Sequence, residues 1–381
     1  MLPAMLCAPY DLPKQPVGRR STLGTSQQMT RANNEIWNNV ALFENYDYVQ
    51  NWYLRRHARQ LSATWTSQIN SAFRQAREYF DSASIAGATV RPLLLYYGCA
   101  ALAQGTTLAL TGKLIPGFLP ASHGLGTSNW SEHLSEQNVH GVLDLTIVSQ
   151  PGLFREFCKA AGNSETFVLH HSQHTLIPIK ADYRIPKFVT SNETALSLGD
   201  LLRRDHRTAN LYEKVTGADA KVHQTTIRVQ GKDGGRDEPF KPTGLTFKLT
   251  GAHPNVGIGM VQKMFGNDVR VSSIGGPKYK YVPLVHLDWE VRLTDPSVVP
   301  MLVGELDDLY LSEDFEGGDR LTLVHRTYMV AYMLGMLARY HPATWMALLQ
   351  NVKGAAAQPI IQTSLDSIEQ DFPSQILRIL S

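Results

Sequence analysis

Apolar positions begin to recur at helical spacing from Asn34. Ile36, Trp37, Val40 and Phe43 form one face, and an aromatic-rich segment with Tyr46, Tyr48, Trp52 and Tyr53 follows. Trp65, Ile69, Phe73, Ala76 and Phe80 then return almost every fourth residue, while Gln68, Asn70, Arg74, Gln75 and Arg77 fill the other face. This is an amphipathic helix with its aromatic stripe in the core. The densest apolar run comes next: Arg91-Pro92-Leu93-Leu94-Leu95-Tyr96-Tyr97-Gly98-Cys99-Ala100-Ala101-Leu102-Ala103, continuing through Leu108 and Leu110. Pro92 suits a first turn and Gly112 a stop, so a helix runs from Pro92 to about Thr111. It is hydrophobic on most of its circumference and is therefore expected to be buried.

The texture changes after Trp130. Short alternating or β-branched runs at Val142–Val148, Thr166–Leu169, Thr175–Ile179, Thr225–Val229, Leu245–Leu249, Val269–Ile274 and Tyr279–Leu287 predict strands. The last two flank Gly275-Gly276-Pro277 and read as a hairpin. Helical pieces are expected around Gly152–Ala161 and Leu196–Lys214. From Ser297 the spacing is helical again. Val298, Met301, Leu302 and Leu306 make one stripe; Leu321, Val324, Tyr328, Ala331 and Gly335 make another, broken at Pro342. Trp345, Leu348 and the stretch 360–380 supply the last helices.

Strands and helices are segregated, not alternating, which predicts an α+β fold. The expected division is a loosely ordered arm over 1–33, a helical part over 34–130, a β-rich middle over 131–293, and a second helical part over 294–381. The two helical parts are expected to pack together around the Pro92 helix, because one neighbour covers only one side of a helix that is apolar all round.

Composition narrows the classes. With 43% hydrophobic and 18% charged residues in 381, a packed core is expected. Lys and Arg number 36 against 34 Asp and Glu, so no whole-protein field attracts nucleic acid. Cys7, Cys99 and Cys158 are sparse, odd in number and form no C-x-x-C, which favours a reducing cytosol over a disulfide framework. No secretory signal is visible at the start. The run 92–110 nears transmembrane length, but Gln104, Thr106 and Thr107 interrupt it; a core helix and no membrane are expected.

Arg91-Pro92-Leu93-Leu94-Leu95-Tyr96-Tyr97-Gly98 and the later Arg339-Tyr340-His341-Pro342 with Trp345 are the most specific blocks in the chain. Between them in order stands His123-Gly124-Leu125, and before them Ala76-Arg77-Glu78-Tyr79-Phe80. Together with Met333-Leu334-Gly335-Met336-Leu337-Ala338, this order resembles the bacterial YaaC-like proteins over most of the chain from about Asn34. The resemblance implies a bacterial or phage-related cytosolic protein and carries no biochemical activity with it.

Several signatures of common enzymes are absent. Thr111-Gly112-Lys113-Leu114 lacks the upstream glycine and the Ser/Thr of a P-loop, and Gly257-Ile258-Gly259 is followed by Gln262 where a dinucleotide fingerprint needs glycine. No G-x-S-x-G elbow occurs. No cofactor is expected. His170, His171 and His174 cluster, but Glu165 is the one adjacent carboxylate, and no metal is expected.

Two readings of function remain. In the first the protein binds an unidentified ligand or macromolecule, in a pocket where Arg91, Tyr96, Tyr97, His123, Gly124 and Arg339 converge. A charged side chain beside a core must be paired or anion-bound. In the second, Arg320 and His325 resemble the Arg-x4-His element of metal-independent HEPN ribonucleases. That chemistry takes a cation for the phosphorane and an imidazole for proton transfer, with a homodimer lining one cleft. Leu321 departs from that family's usual polar residue after the Arg. Arg203, Arg204 and Arg207 offer phosphate contacts to nucleic acid, with a solvated helix face as the competing reading.

Overall fold

A computed structural model describes residues 35–111, 122–128, 130–134, 140–172, 175–232, 241–249, 270–274, 286–291, 301–305, 308–350 and 355–381. The expected arm over 1–33 and most of the glycine-rich segment after the Pro92 helix lie outside these residues, as do Cys7 and the turn at Gly275-Gly276-Pro277.

The first helices are α1 (35–42), α2 (Tyr46–His57), α3 (Ala63–Ile85) and α4 (Arg91–Thr111). Asn45 and Ser62 start α2 and α3 by accepting the Tyr48 and Trp65 amides, which satisfies end groups that a helix leaves unbonded. Then come β1 (His123–Ser128), α5 (Trp130–His133), β2 (Thr146–Gly152), α6 (Leu153–Ala161), β3 (Ser164–Ser172), β4 (Thr175–Asp182) and α7 (Lys187–Thr190). They are followed by β5 (Ala195–Ser197), α8 (Leu198–Leu202), α9 (Ala209–Thr216), β6 (Val222–Lys232), β7 (Lys241–Leu249), β8 (Arg270–Ile274) and β9 (His286–Val291). The hairpin β10 (Met301–Glu305) and β11 (Asp308–Ser312) precedes α10 (Leu323–Tyr340), α11 (Pro342–Leu349) and α12 (Gln358–Leu380).

The fold is α+β. A helical body from both ends of the chain encloses α4, and every strand pairing in the middle is antiparallel. The sheets run β1-β2-β5, β3-β4, and β10-β11-β6-β7-β9-β8. Helix α4 packs against α3, α6, α10 and α12. Its small residues set the approach. A Cβ on Gly98 would lie 2.6 Å from the Phe80 ring, and one on Gly105 would lie 2.7 Å from Phe73. Two phenylalanines of α3 therefore seat on two glycines of α4 at the same spacing of seven, close to two helical turns. On another side, Gly335 of α10 leaves room for Tyr96 of α4. Leu95, Tyr96, Cys99, Leu102 and Ala103 are wholly buried. By length and composition alone α4 could cross a membrane, but most of it is enclosed by the other helices.

Four expectations are corrected. The stripe Val298–Leu306 was expected to be helical; Met301–Glu305 instead pairs with Asp308–Ser312, extending the strands past residue 293 to Ser312. In this stripe Met301 and Val303 are buried, and residues two apart share one face of a strand. His123-Gly124-Leu125, which no predicted strand covered, lies in one, paired with β2 through an irregularity at Gly124. The single helix over Leu196–Lys214 is divided into β5, α8 and α9 by turns over 203–208. Leu94, inside the apolar run, is only partly buried at the edge of the core.

Candidate functional site

The helical body brings most of the expected binding residues to one place. Tyr96 is buried in α4, with its ring edge-on to Tyr328 and Tyr332 of α10. The Tyr96 hydroxyl lies 2.6 Å from Nδ1 of His123 in β1. The position of β1 is set by Gly124, whose φ of +78° is accessible to glycine, and by the Tyr332 hydroxyl, which donates to the Leu125 carbonyl at 2.9 Å. A Cβ on Gly124 would come within 2.6 Å of the Phe154 nitrogen, where β1 crosses the start of α6. Gly124 thus positions His123 and the strand against the helix end.

His123 is exposed on its outer side. Arg339, at the exposed end of α10, donates to the Tyr97 hydroxyl at 2.7 Å, and Tyr97 stacks beside Tyr79 with ring centroids 5.6 Å apart. Burial lowers the His123 pKa, and the Arg339 charge lowers it further, so the ring is neutral at neutral pH. Burial, then Tyr328, pushes the Tyr96 phenol far above its ordinary range, and it keeps its proton. With the phenol as the donor to Nδ1, His123 presents an Nε2–H outward. That donor, the Arg339 guanidinium and the Tyr97 hydroxyl form a surface suited to an acceptor-rich group.

Arg91 does not join them. Its guanidinium is held in α12 by Glu369 at 2.5 Å and by Asp366 at 2.8 Å. Burial acts against the charge, but hydrogen bonds to Glu369 and Asp366 outweigh it and raise the Arg91 pKa. Arg91→Ala is expected to lower stability by about 2 kcal/mol, the scale of lost charged hydrogen bonds. Arg74→Ala, whose side chain is 61% exposed and 3.7 Å from Glu44, should change it by less than about 0.5 kcal/mol. Urea unfolding of the two variants checks this.

Arg320 and His325 are separated by their surroundings. Arg320 precedes α10, and its Nε donates to Asp314 at 2.8 Å. His325 is fully buried between Phe154 and Phe157, and burial lowers its pKa to about 3. Its Nδ1 lies 2.7 Å from the Thr322 hydroxyl, and its amide donates to the Thr322 carbonyl at 3.1 Å. Thr322 is the N-cap of α10, so His325 occupies the third helical position, and its ring meets the Thr322 side chain over the first turn of the helix.

The basic run is also internally engaged. Arg203 and Arg204 pair with Asp200, and Arg207 donates to Asp371 at 2.7 Å. Arg204 is buried, donates to the Glu313 and Asp314 carbonyls, and lies 4.7 Å from the Phe315 ring centre. The side chains of His170, His171 and His174 lie outside the described residues. Among the described residues no group of three His, Cys, Asp or Glu could hold a metal.

Sequence reasoning missed the contacts that hold the start of α10. Asn163 accepts the Thr322 amide at 3.1 Å and donates to the Arg320 carbonyl at 2.7 Å. The Glu165 carboxylate faces the Leu323 amide and the buried Arg326. Arg326 inside the apolar stripe of α10 was the visible signal, since a charge in such a stripe needs a partner.

No curated protein and no solved structure matches the chain. A family model described as YaaC-like Protein matches residues 41–380. That match runs from α1 to the last turn of α12 and includes both specific blocks, the one opening α4 and the one closing α10. The chain therefore belongs to the YaaC-like protein family.

Proposed function

We propose that this protein is a ligand-binding protein of the bacterial cytoplasm, and that its site is the rim formed by His123, Tyr97 and Arg339. One observation carries the reading: an exposed, neutral imidazole is held from beneath by a buried phenol at 2.6 Å and stands beside an exposed arginine. A fixed donor on a rigid helix–strand junction is a preorganised contact. The ligand class that fits three outward donors is a small acceptor-rich or anionic molecule. The two described cysteines, Cys99 and Cys158, are free and buried thiols, which agrees with a reducing compartment.

The test uses the full chain and what it carries. Small molecules released from freshly purified protein by denaturation are identified by mass spectrometry, then titrated back by calorimetry. His123→Ala and Arg339→Ala should each weaken binding about tenfold or more, at unchanged melting temperature. Binding that both variants leave intact would remove the assignment.

The ribonuclease reading requires His325 to touch RNA, and His325 has no exposed surface. Incubation of the pure protein with mixed RNAs should give no cleavage that His325→Ala abolishes. Cleavage lost in that variant, with folding intact, would restore the reading.

A further inference from the structure

A second concave surface lies away from the His123 rim. It is a cleft enclosing about 450 Å3 between the segment Tyr183–Thr190 and the turn Gly317–Arg320. That volume suits a small metabolite. Its lining carries three cations, Arg184, Lys187 and Arg320, and one acid, Asp319. Arg184 and Lys187 are exposed. Of the nearby acids, Asp319 accepts the Phe188 amide at 2.9 Å and Asp314 accepts from Arg320.

Tyr183 links the cleft to the interior. It lines the cleft, and the Arg320 guanidinium sits 5.9 Å from its ring centre. On its inner side it is an electrostatic neighbour of Arg326. Arg326 is only 3% exposed. Its Nη1 donates to the Arg204 carbonyl at 2.7 Å and to the Ser312 hydroxyl at 3.2 Å, but its Nε and Nη2 have no hydrogen-bond partner among the described residues. Buried donors are rarely left unbonded, and a buried guanidinium with an open edge is an attractor for negative charge. The acids facing it are Glu165 and Asp205; Glu165 itself keeps one buried oxygen unpartnered.

The geometry points to a binding site for a small phosphate-bearing molecule in this cleft, with Lys187, Arg184 and Arg320 meeting the phosphate and Arg326 supplying charge from behind Tyr183. Arg320, singled out in the sequence as a phosphate-stabilising cation, belongs in this arrangement to recognition and needs no histidine beside it. A net positive lining shared by the two segments that form the cleft raises local anion concentration above that at an open surface.

Calorimetry of the full chain with pyrophosphate and with ribose 5-phosphate, in chloride buffer, tests it. Saturable binding of at least one probe is expected, and Lys187→Gln and Arg320→Gln should each weaken it about fivefold to tenfold. Arg184→Gln and Lys187→Gln change exposed side chains, so a folding defect will not hide the result. His123→Ala should leave this binding unchanged, which separates it from the rim proposed above. Tighter binding of ribose 5-phosphate than of pyrophosphate would show that the cleft also reads the organic part. Absence of saturable binding by either probe would overturn the proposal, as would binding that Lys187→Gln and Arg320→Gln leave unaltered.

Discussion

Leu102→Asp is expected to unfold the protein. Leu102 is fully buried in α4, where α3, α6, α10 and α12 close around the helix. An unpaired carboxylate there costs several kcal/mol in desolvation, besides the lost apolar contacts, against a total stability of about 5–15 kcal/mol. The variant should show no cooperative thermal transition and should lose near-ultraviolet dichroism. Leu94→Asp, about two turns earlier and only partly buried, should melt lower than the native protein but still cooperatively. A folded Leu102→Asp protein would mean that α4 is not the centre of the body.

The second large effect is on acid stability, where two buried groups oppose each other. His325 titrates in the fold at about 3, because burial disfavours its charge. The unfolded chain takes up that proton from about pH 6.5 downward, so native stability falls by about 1.4 kcal/mol for each pH unit below 6.5, to a limit near 5 kcal/mol. Glu165 behaves in the opposite sense. Burial raises its pKa to about 7, against the pull of Arg326, Arg378 and the Leu323 amide. The native state then binds this proton before the unfolded chain does, and stability rises as pH falls from 7 to about 4.5.

Over pH 6.5 to 4.5 these two slopes nearly cancel, giving a near-plateau on which the lowered pKa values of His123 and His341 leave a residual fall. Below 4.5 Glu165 contributes no further change, and His325 is joined by Glu313. Burial opposes the Glu313 charge, but His223 and Lys221 outweigh it and hold its carboxyl down at about 2. Stability then drops steeply. Glu165→Gln should remove the plateau, so that the midpoint of urea unfolding begins to fall near pH 6.5. His325→Asn should instead gain stability between pH 7 and 5. A flat Glu165→Gln profile down to pH 5 would refute the opposition.

How much of this was readable in advance depends on the range of the interactions. Periodicity is local, and it located α4 as 92–111 against the observed Arg91–Thr111, and α10 as the stripe from Leu321 to Gly335 broken at Pro342, against Leu323–Tyr340. It failed at Met301–Glu305, where a five-residue apolar stretch fits either period and pairing with β11 decides. The site was half legible. Tyr96, Tyr97, His123 and Arg339 do meet, because their blocks belong to elements that had to pack on α4. Arg91 was assigned to them because its partner, Glu369, lies 278 positions away and leaves no local trace. Arg207 read as part of a basic surface for the same reason, its partner Asp371 lying 164 positions away, whereas Asp200, which holds Arg203 and Arg204, stands only one turn before them. His325 looked reactive because a buried core histidine and a catalytic one have the same letter; depth in the structure distinguishes them.

The enclosure of α4 from both ends of the chain has a consequence for synthesis. The helix leaves the ribosome with α3 as its sole long partner, while α10 and α12 follow up to about 270 residues later. At ordinary elongation rates that interval is roughly 15–50 s. During it, an apolar segment long enough to cross a bilayer stands partly uncovered. A nascent chain in that state is a substrate for chaperones and for membrane-targeting factors that read hydrophobic length. The Trp52 indole of α2 donates to the Leu380 carbonyl at 3.3 Å, so the body closes on α2 only when α12 has followed. Deleting α12 therefore leaves the side of α4 that it covers permanently exposed.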